Sequence, residues 1–310
     1  MSNWTAADIP DLHAKLAIVT GANSGLGLET TRALARRGAK VIMACRTPAK
    51  AEAAVDALVR GGIEPALLEL RRLDLASLAS IRSFAEAVRA DHPRVDLLIN
   101  NAGVMALPYT MTSDGFEMQI GTNHLGHFAL TGLLLEPLLA TPGARVVTVS
   151  SLMHRLGTIR LDDLSWTRGY KKWPAYGQSK LANLLFCFEL QRQLSAGGHG
   201  LLSIAAHPGY AATNLQHVGP RMTGSALVER FYRIGAHVAQ DAAAGALPSL
   251  YAATAADVAG ADYFGPSGLM ELRGGPRRVS PMAKARDPEV ARRLWALSTE
   301  LTEVAYTLSP

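Results

Sequence analysis

Only two cysteines, Cys45 and Cys187, occur in the 310 residues. That is too few for a disulfide scaffold, and no Cys/His spacing of a metal site accompanies them. No metal is expected. No block of one charge is present either. The net charge of +5 is spread over short pairs such as Arg36-Arg37, Arg71-Arg72, Arg277-Arg278 and Arg292-Arg293, which excludes a basic tract of the nucleic-acid-binding kind. Met1 to Pro10 contains Asp8 and no apolar core, so neither a signal peptide nor a membrane anchor is expected there. The longest apolar run, Phe128 to Leu139, is interrupted by Glu136-Pro137 and is too short to span a bilayer. A cytoplasmic location is the resulting expectation. No linker, low-complexity stretch or fixed-period repeat divides the chain, so residues 1–310 are read as one domain.

What is present is a soluble balance of 48% apolar and 18% charged residues, arranged as short apolar runs alternating with longer amphipathic ones. Leu16–Thr20, Lys40–Ala44, Leu67–Leu73, Asp96–Asn100, Arg145–Ser150 and Leu201–Ala206 read as strands, and Tyr263-Phe264 begins a short seventh. Helices are expected over Leu28–Arg37, closed by Gly38, and over Pro48–Arg60, where proline suits the first turn. Ser77–Ala90 reads as a third, with Ser77 as its cap. Apolar runs greasy on both faces, alternating with helices, imply a doubly wound parallel α/β sheet of Rossmann type. It should have about seven strands and helices on both faces. Ligands of such sheets lie beyond the carboxyl ends of the strands, so the residues just after each strand matter most.

After the first strand comes Thr20-Gly-Ala-Asn-Ser-Gly-Leu-Gly27. Glycines let this turn approach a phosphate closely, and the helix that follows offers free N–H groups to a pyrophosphate. Gly21, Asn23, Ser24, Gly25, Leu26 and Gly27 are therefore candidate dinucleotide-binding residues. The second strand ends at Cys45-Arg46, with no acid to accept from a ribose 2′-hydroxyl. Arg46 is read as a partner for a 2′-phosphate, which favours NADP(H) over NAD(H), against the alternative of a plain surface arginine. Asp74 and Leu75 follow the third strand. They are read as adenine contacts, the carboxylate accepting from the amino group and the leucine packing on the ring, with a helix-capping or loop aspartate as the alternative. Asn101, Ala102 and Gly103 follow the fourth strand as a small-residue turn where a cofactor ribose can pass, and Ser150-Ser151 follow the fifth.

Tyr176 and Lys180 are spaced i, i+4 at the start of a long apolar helix that runs to about Leu194, so they share a helix face. A neighbouring ammonium and an oxidised nicotinamide would both favour the phenolate and make this tyrosine an acid/base group.

Taken together, over residues 15–215, these motifs resemble the short-chain dehydrogenase/reductase family. The T-G-x-x-x-G-x-G turn, the N-N-A-G turn, a serine ending strand five and Y-x-x-x-K occur in the family's order. Asn123 matches its helix asparagine, and His207-Pro208-Gly209 with Thr213 matches its segment beside the nicotinamide. Thr20–Gly27, Val41–Arg46, Asn123–Phe128 and the long interval from Ser151 to Tyr176 are similar to its retinol-dehydrogenase-like and protochlorophyllide-reductase-like members. The resemblance implies catalytic residues Ser151, Tyr176, Lys180 and Asn123. Tyr176 would exchange the proton, and Ser151, rather than Ser150, would polarise the substrate oxygen. Lys180 would hold the ribose and lower the Tyr176 pKa, and Asn123 would break its helix and hold a relay water. It also implies that Pro208, Gly209 and Thr213 contact the cofactor. The implied activity is NADP(H)-dependent interconversion of an alcohol and a carbonyl.

Two segments are candidates for the substrate side. His154–Pro174 carries Trp166, Tyr170 and Trp173. Asn214–Gln240, read as a lid, carries Met222, Leu227, Phe231, Tyr232 and Ile234. Apolar and aromatic walls of this kind fit a lipophilic alcohol, aldehyde or ketone, with core packing or an oligomer contact as the alternative. His124, His127 and His154 are read as structural. Residues 273–310 form a C-terminal extension with a helical pattern over Pro288–Tyr306 and no assigned chemistry. Pairing of two copies through their long helices is a further expectation drawn from the family. The competing class of function is a non-catalytic NADP(H)-binding module that senses redox state for a partner.

Overall fold

The structure, a computed structural model, describes residues 4–210 and 240–308. The expected lid, Gln240 apart, and Thr213 lie outside these residues. Strands β1 (Leu16–Thr20), β2 (Lys40–Cys45), β3 (Leu68–Arg72), β4 (Leu97–Asn100), β5 (Arg145–Val149), β6 (Leu202–Ala206), β7 (Tyr263–Pro266) and β8 (Pro276–Arg278) form one sheet. Their order is β3-β2-β1-β4-β5-β6-β7-β8. Every neighbouring pair is parallel except β7 with β8. The strand order reverses direction between β1 and β4, which opens a crevice at their carboxyl ends. The expected parallel sheet is present, with one strand more than anticipated. β8 is a three-residue antiparallel edge, and so short a run gives no period to read.

Helices α1 (Gly25–Arg36), α2 (Pro48–Arg60), α3 (Leu78–Asp91), α4 (Gly126–Leu133), α5 (Lys172–Ala196), α6 (Ala242–Thr254) and α7 (Pro288–Thr302) cover the sheet. The alternation within a strand assigns each face. Ala17 and Val19 of β1 enter a core with Leu34 of α1, Leu58 of α2 and Leu250 of α6. Leu16 and Ile18 enter the opposite core with Phe84 of α3, Phe128 of α4 and Leu190 of α5. Burial on both faces is why these strands read as continuous apolar runs. Ser77 caps α3 by accepting from Ser80 N, as the sequence implied. The alanine-rich α6 was not picked out from the sequence. It packs on α1 and carries Pro248 within its length.

The C-terminal extension closes the outer side of α4 and α5. The Trp295 ring lies 5.1 Å from Phe128 and stacks on Phe186 at 5.8 Å, and Tyr306 donates its hydroxyl hydrogen to the Phe128 carbonyl at 2.6 Å. Among the described residues, no helix is long and apolar enough to cross a membrane.

Candidate active site

A cleft of about 610 Å³ opens beyond the carboxyl ends of β1, β2, β4, β5 and β6. One end is built on the glycine-rich turn. Gly21 and Gly25 adopt left-handed φ values of +67° and +53°, which glycine alone takes without strain. A Cβ on Gly27 would collide with the Gly21 carbonyl and sit 2.7 Å from Asn101 Nδ2. Ser24, the N-cap of α1, makes no side-chain capping bond, so the first N–H groups of the helix face the cleft uncommitted. That combination of a side-chain-free cradle and open helix amides fits a pyrophosphate.

Thr20 fastens this turn to the next. Its Oγ1 accepts from Asn101 N and Ala102 N, both at 2.9 Å, and Asn101 Nδ2 donates to the Thr20 carbonyl at 2.7 Å. The Thr20 hydroxyl hydrogen can then go to His127 Nε2, 2.9 Å away, while His127 Nδ1–H donates to the Asn123 carbonyl at 3.0 Å. His127 is fully buried, and burial pushes it down to about 4. It is a neutral structural bridge between β1 and the helix region that carries Asn123. His124 and His154 are likewise pushed down by burial, to about 3 and about 4.

The reactive groups gather at the other end. β5 ends in two serines whose hydroxyls point apart. Ser150 Oγ donates to the Lys180 carbonyl at 2.8 Å. Ser151 caps a short 3-10 turn, Leu152–Leu156, and faces Tyr176. Tyr176 and Lys180 share one face of α5 and both line the cleft. Burial pushes the Tyr176 phenol up to about 12, and Ser151 pulls it only partly back. Burial also pushes the Lys180 ammonium down to about 8. Lys180 Nζ donates to the Val149 carbonyl at 3.1 Å and lies 5.8 Å from the centre of the Tyr176 ring. Burial, not Lys180, dominates the Tyr176 shift. Burial thus favours the neutral phenol, which lies beside a second hydroxyl.

Asn123 sits in a π-helical turn, Gly121–Leu125, that interrupts the run into α4. Such turns recur at functional sites. Its side chain is committed to the protein. Oδ1 accepts from Val104 N at 2.8 Å, and Nδ2 donates to the Val104 carbonyl and to Ser179 Oγ, each at 2.9 Å. Asn123 is thus a clamp behind the cleft wall rather than part of the lining.

The cleft brings together Gly21, Asn23, Ser24, Gly25, Leu26, Gly27, Arg46, Asn101, Ala102, Gly103, Ser151, Tyr176, Lys180, Pro208 and Gly209. It does not bring in Asp74 or Leu75. Asp74 Oδ1 accepts from Ala76 N at 3.0 Å in a local turn, and Leu75 is buried in the core against Gly126. Of the three aromatics expected on the substrate side, Trp173 lines the cleft. Tyr170 instead donates to the Leu107 carbonyl at 2.9 Å and meets Glu117 and Gln119, and Trp166 lies under the Arg160 guanidinium. The sequence reading passed over Val104, Met105, Leu152, Met153, Tyr210 and Leu272, which also line the cleft. The first five adjoin motifs that were read. Leu272 comes from a turn between β7 and β8 that no motif marks.

Comparison with known proteins agrees with this geometry. Residues 15–221 match the family described as short chain dehydrogenase. Human retinol dehydrogenase 13 is 46% identical over 298 residues, covering 94% of this chain and 85% of that protein. A crystal structure of an uncharacterized protein from Mycobacterium Paratuberculosis is 47% identical, with a TM-score of 0.82 over 99% of this chain and 100% of the other. An NAD(P) dependent gluconate 5-dehydrogenase from Beutenbergia cavernae, with bound NADP at low occupancy, is 26% identical. Its TM-score is 0.60, over 79% of this chain and 91% of that one. With the cleft, the paired hydroxyls and the dinucleotide cradle on one sheet end, these matches make the chain an alcohol/carbonyl oxidoreductase. It belongs to the short-chain dehydrogenase/reductase family, in its retinol-dehydrogenase-like branch.

Proposed function

We propose that the chain is an NADP(H)-dependent enzyme that interconverts a lipophilic alcohol and its aldehyde or ketone, with Tyr176 as the acid/base. One observation carries the reading: a buried, protonated Tyr176 and a facing Ser151 share a cleft with the phosphate cradle. The nicotinamide, when bound, supplies or accepts the hydride. In reduction, Ser151 donates to the substrate oxygen and Tyr176 gives it a proton, so two hydroxyls meet the developing negative charge. Lys180 keeps an ammonium near the phenol and reaches toward the ribose side at Gly103, where an added Cβ would meet its Nζ at 3.5 Å. In oxidation the same groups work in reverse, with the cationic ring and Lys180 favouring the phenolate.

Preference for NADP(H) is supported by Arg46, which lies exposed on the cleft rim at the end of β2 with no carboxylate bound to it among the described residues. NADP in the Beutenbergia relative points the same way. A lipophilic substrate is supported by the wall of Val104, Met105, Leu152, Met153, Trp173 and Leu272, and by retinol in the names of the relatives. The test is NADPH oxidation against a panel of aldehydes and ketones graded from short and polar to long and apolar, retinal included. Turnover that rises with apolar length supports the reading. Tight NADPH binding with no turnover on any member would overturn it in favour of a cofactor-sensing module.

A further inference from the structure

Three separate segments meet where the cleft lies beyond the expected cofactor contacts Pro208 and Gly209: Leu152–Met153 after β5, Tyr210 after β6, and Leu272 between β7 and β8. One carboxylate, Glu271, is bound to all three neighbourhoods. Its Oε2 accepts from the ring of His207, which directly precedes Pro208, and from Arg155, two residues beyond Met153, each at 3.1 Å. Glu271 itself adjoins Leu272. The His207 ring is fully buried and uses both nitrogens: Nδ1 accepts from Gly209 N at 3.2 Å and Nε2–H donates to Glu271. The ring fits because β7 has glycine at position 265, where a Cβ would lie 2.7 Å from His207 Cδ2.

The turn that presents Glu271 is under strain. Met270 and Glu271 are consecutive non-glycine residues with φ of +52° and +58°, a conformation that persists where surrounding contacts over-determine it. Those contacts include the ion pair of Glu271 with Arg155, its hydrogen bond from His207, and the bond from Tyr210 N to the Leu272 carbonyl at 2.8 Å. Gly209, at φ +65°, lies directly against that same carbonyl. Hydrogen bonding from His207 and the charge of Arg155 hold the Glu271 carboxyl below the usual carboxylate range, so the clasp is ionised at neutral pH.

We propose that Glu271 is a positioning residue for substrate recognition. By clasping His207 and Arg155 it fixes the strained turn, and so sets Leu272 and Tyr210 as the rigid far wall of the substrate end. This rests on the function proposed above. It assigns no chemistry to Glu271, which does not touch the reacting atoms, and it leaves the glycine-turn end of the cleft untouched.

The experiment compares wild type with Glu271→Ala, Glu271→Gln and Arg155→Met by steady-state kinetics, NADPH titration, thermal melting and peptide-level hydrogen exchange. Glu271→Ala should raise KM for the preferred carbonyl about tenfold, with kcat and NADPH Kd each within about threefold of wild type. Glu271→Gln, whose amide oxygen still accepts from His207, should recover part of that loss. Amide exchange should accelerate in the peptides holding Gly209–Tyr210 and Leu269–Leu272 and nowhere else. Should Glu271→Ala fail to fold, the other two variants carry the same comparison. An unchanged KM, or equal losses in KM, kcat and NADPH affinity, would overturn the proposal, as would unaltered exchange at those peptides. If the wild type reduces no carbonyl, the proposed function fails while the exchange measurement still decides the clasp: unaltered exchange overturns it and local acceleration supports it.

Discussion

Asn123 grips Val104 at both backbone polar atoms, accepting from its N–H at 2.8 Å and donating to its carbonyl at 2.9 Å. A side chain in a helical interruption thereby stands in for a strand partner, and the loop after β4 is held open beside the cleft. Its third bond, to Ser179, ties that loop to α5 between Tyr176 and Lys180.

Removing the clamp should therefore cost both stability and rate. Asn123→Ala leaves Val104 N–H and carbonyl unpaired in a part-buried position, a loss of about 1–3 kcal/mol. Denaturant melts should register it, together with a fall in kcat. Asn123→Asp should be intermediate, because a carboxylate accepts from Val104 N but cannot donate to its carbonyl.

The phosphate cradle makes a sharper demand. Gly27→Ala places a methyl against the Gly21 carbonyl and Asn101. NADPH affinity, followed by its fluorescence, should weaken at least about 100-fold, equivalent to about 2.7 kcal/mol, while the sheet still melts cooperatively.

Arg46→Asp tests the cofactor choice. Loss of charge-assisted bonds to a 2′-phosphate removes about 1.5–3 kcal/mol, and the new carboxylate can accept from a 2′-hydroxyl. NADPH should bind tenfold to a hundredfold more weakly, to order of magnitude, and NADH more tightly. A wild type that already prefers NADH would refute the role given to Arg46.

The pH profile follows from two buried groups moved in opposite directions. Tyr176, pushed up to about 12, stays protonated through the working range, whereas Lys180 is pushed down to about 8. For carbonyl reduction, kcat/KM of the free enzyme should fall as pH rises through about 8, when the ammonium is lost. Stability should move the other way. Folding lowers the Lys180 value from 10.5 to about 8, so between these values the unfolded chain binds more protons and stability rises with pH. Lys180→Met should flatten both trends.

How far the sequence disclosed this site depends on how local each feature is. The cradle glycines and the Tyr176–Lys180 pair are legible because a turn and an i, i+4 spacing fix their geometry within a few residues. For Asp74 the two readings stay open in the sequence. The fold leaves it outside the cleft lining, with Oδ1 accepting from Ala76 N two residues on, a local backbone partner of the kind that competes with distant ones. The Tyr170 hydroxyl is captured by the Leu107 carbonyl, a partner no period in the chain announces. Leu272 and the clasp of Glu271 are set by contacts more than sixty positions apart in the chain for His207. Only the folded sheet, with β7 beside β6, brings them together.

The most direct test of the account is Tyr176→Phe, assayed for NADPH binding and for carbonyl reduction in parallel. The account predicts NADPH affinity within about twofold of wild type and a loss of turnover of about 10²–10⁴-fold, the scale of a removed general acid. Turnover retained at the wild-type rate, with the cofactor bound as tightly as before, would contradict it.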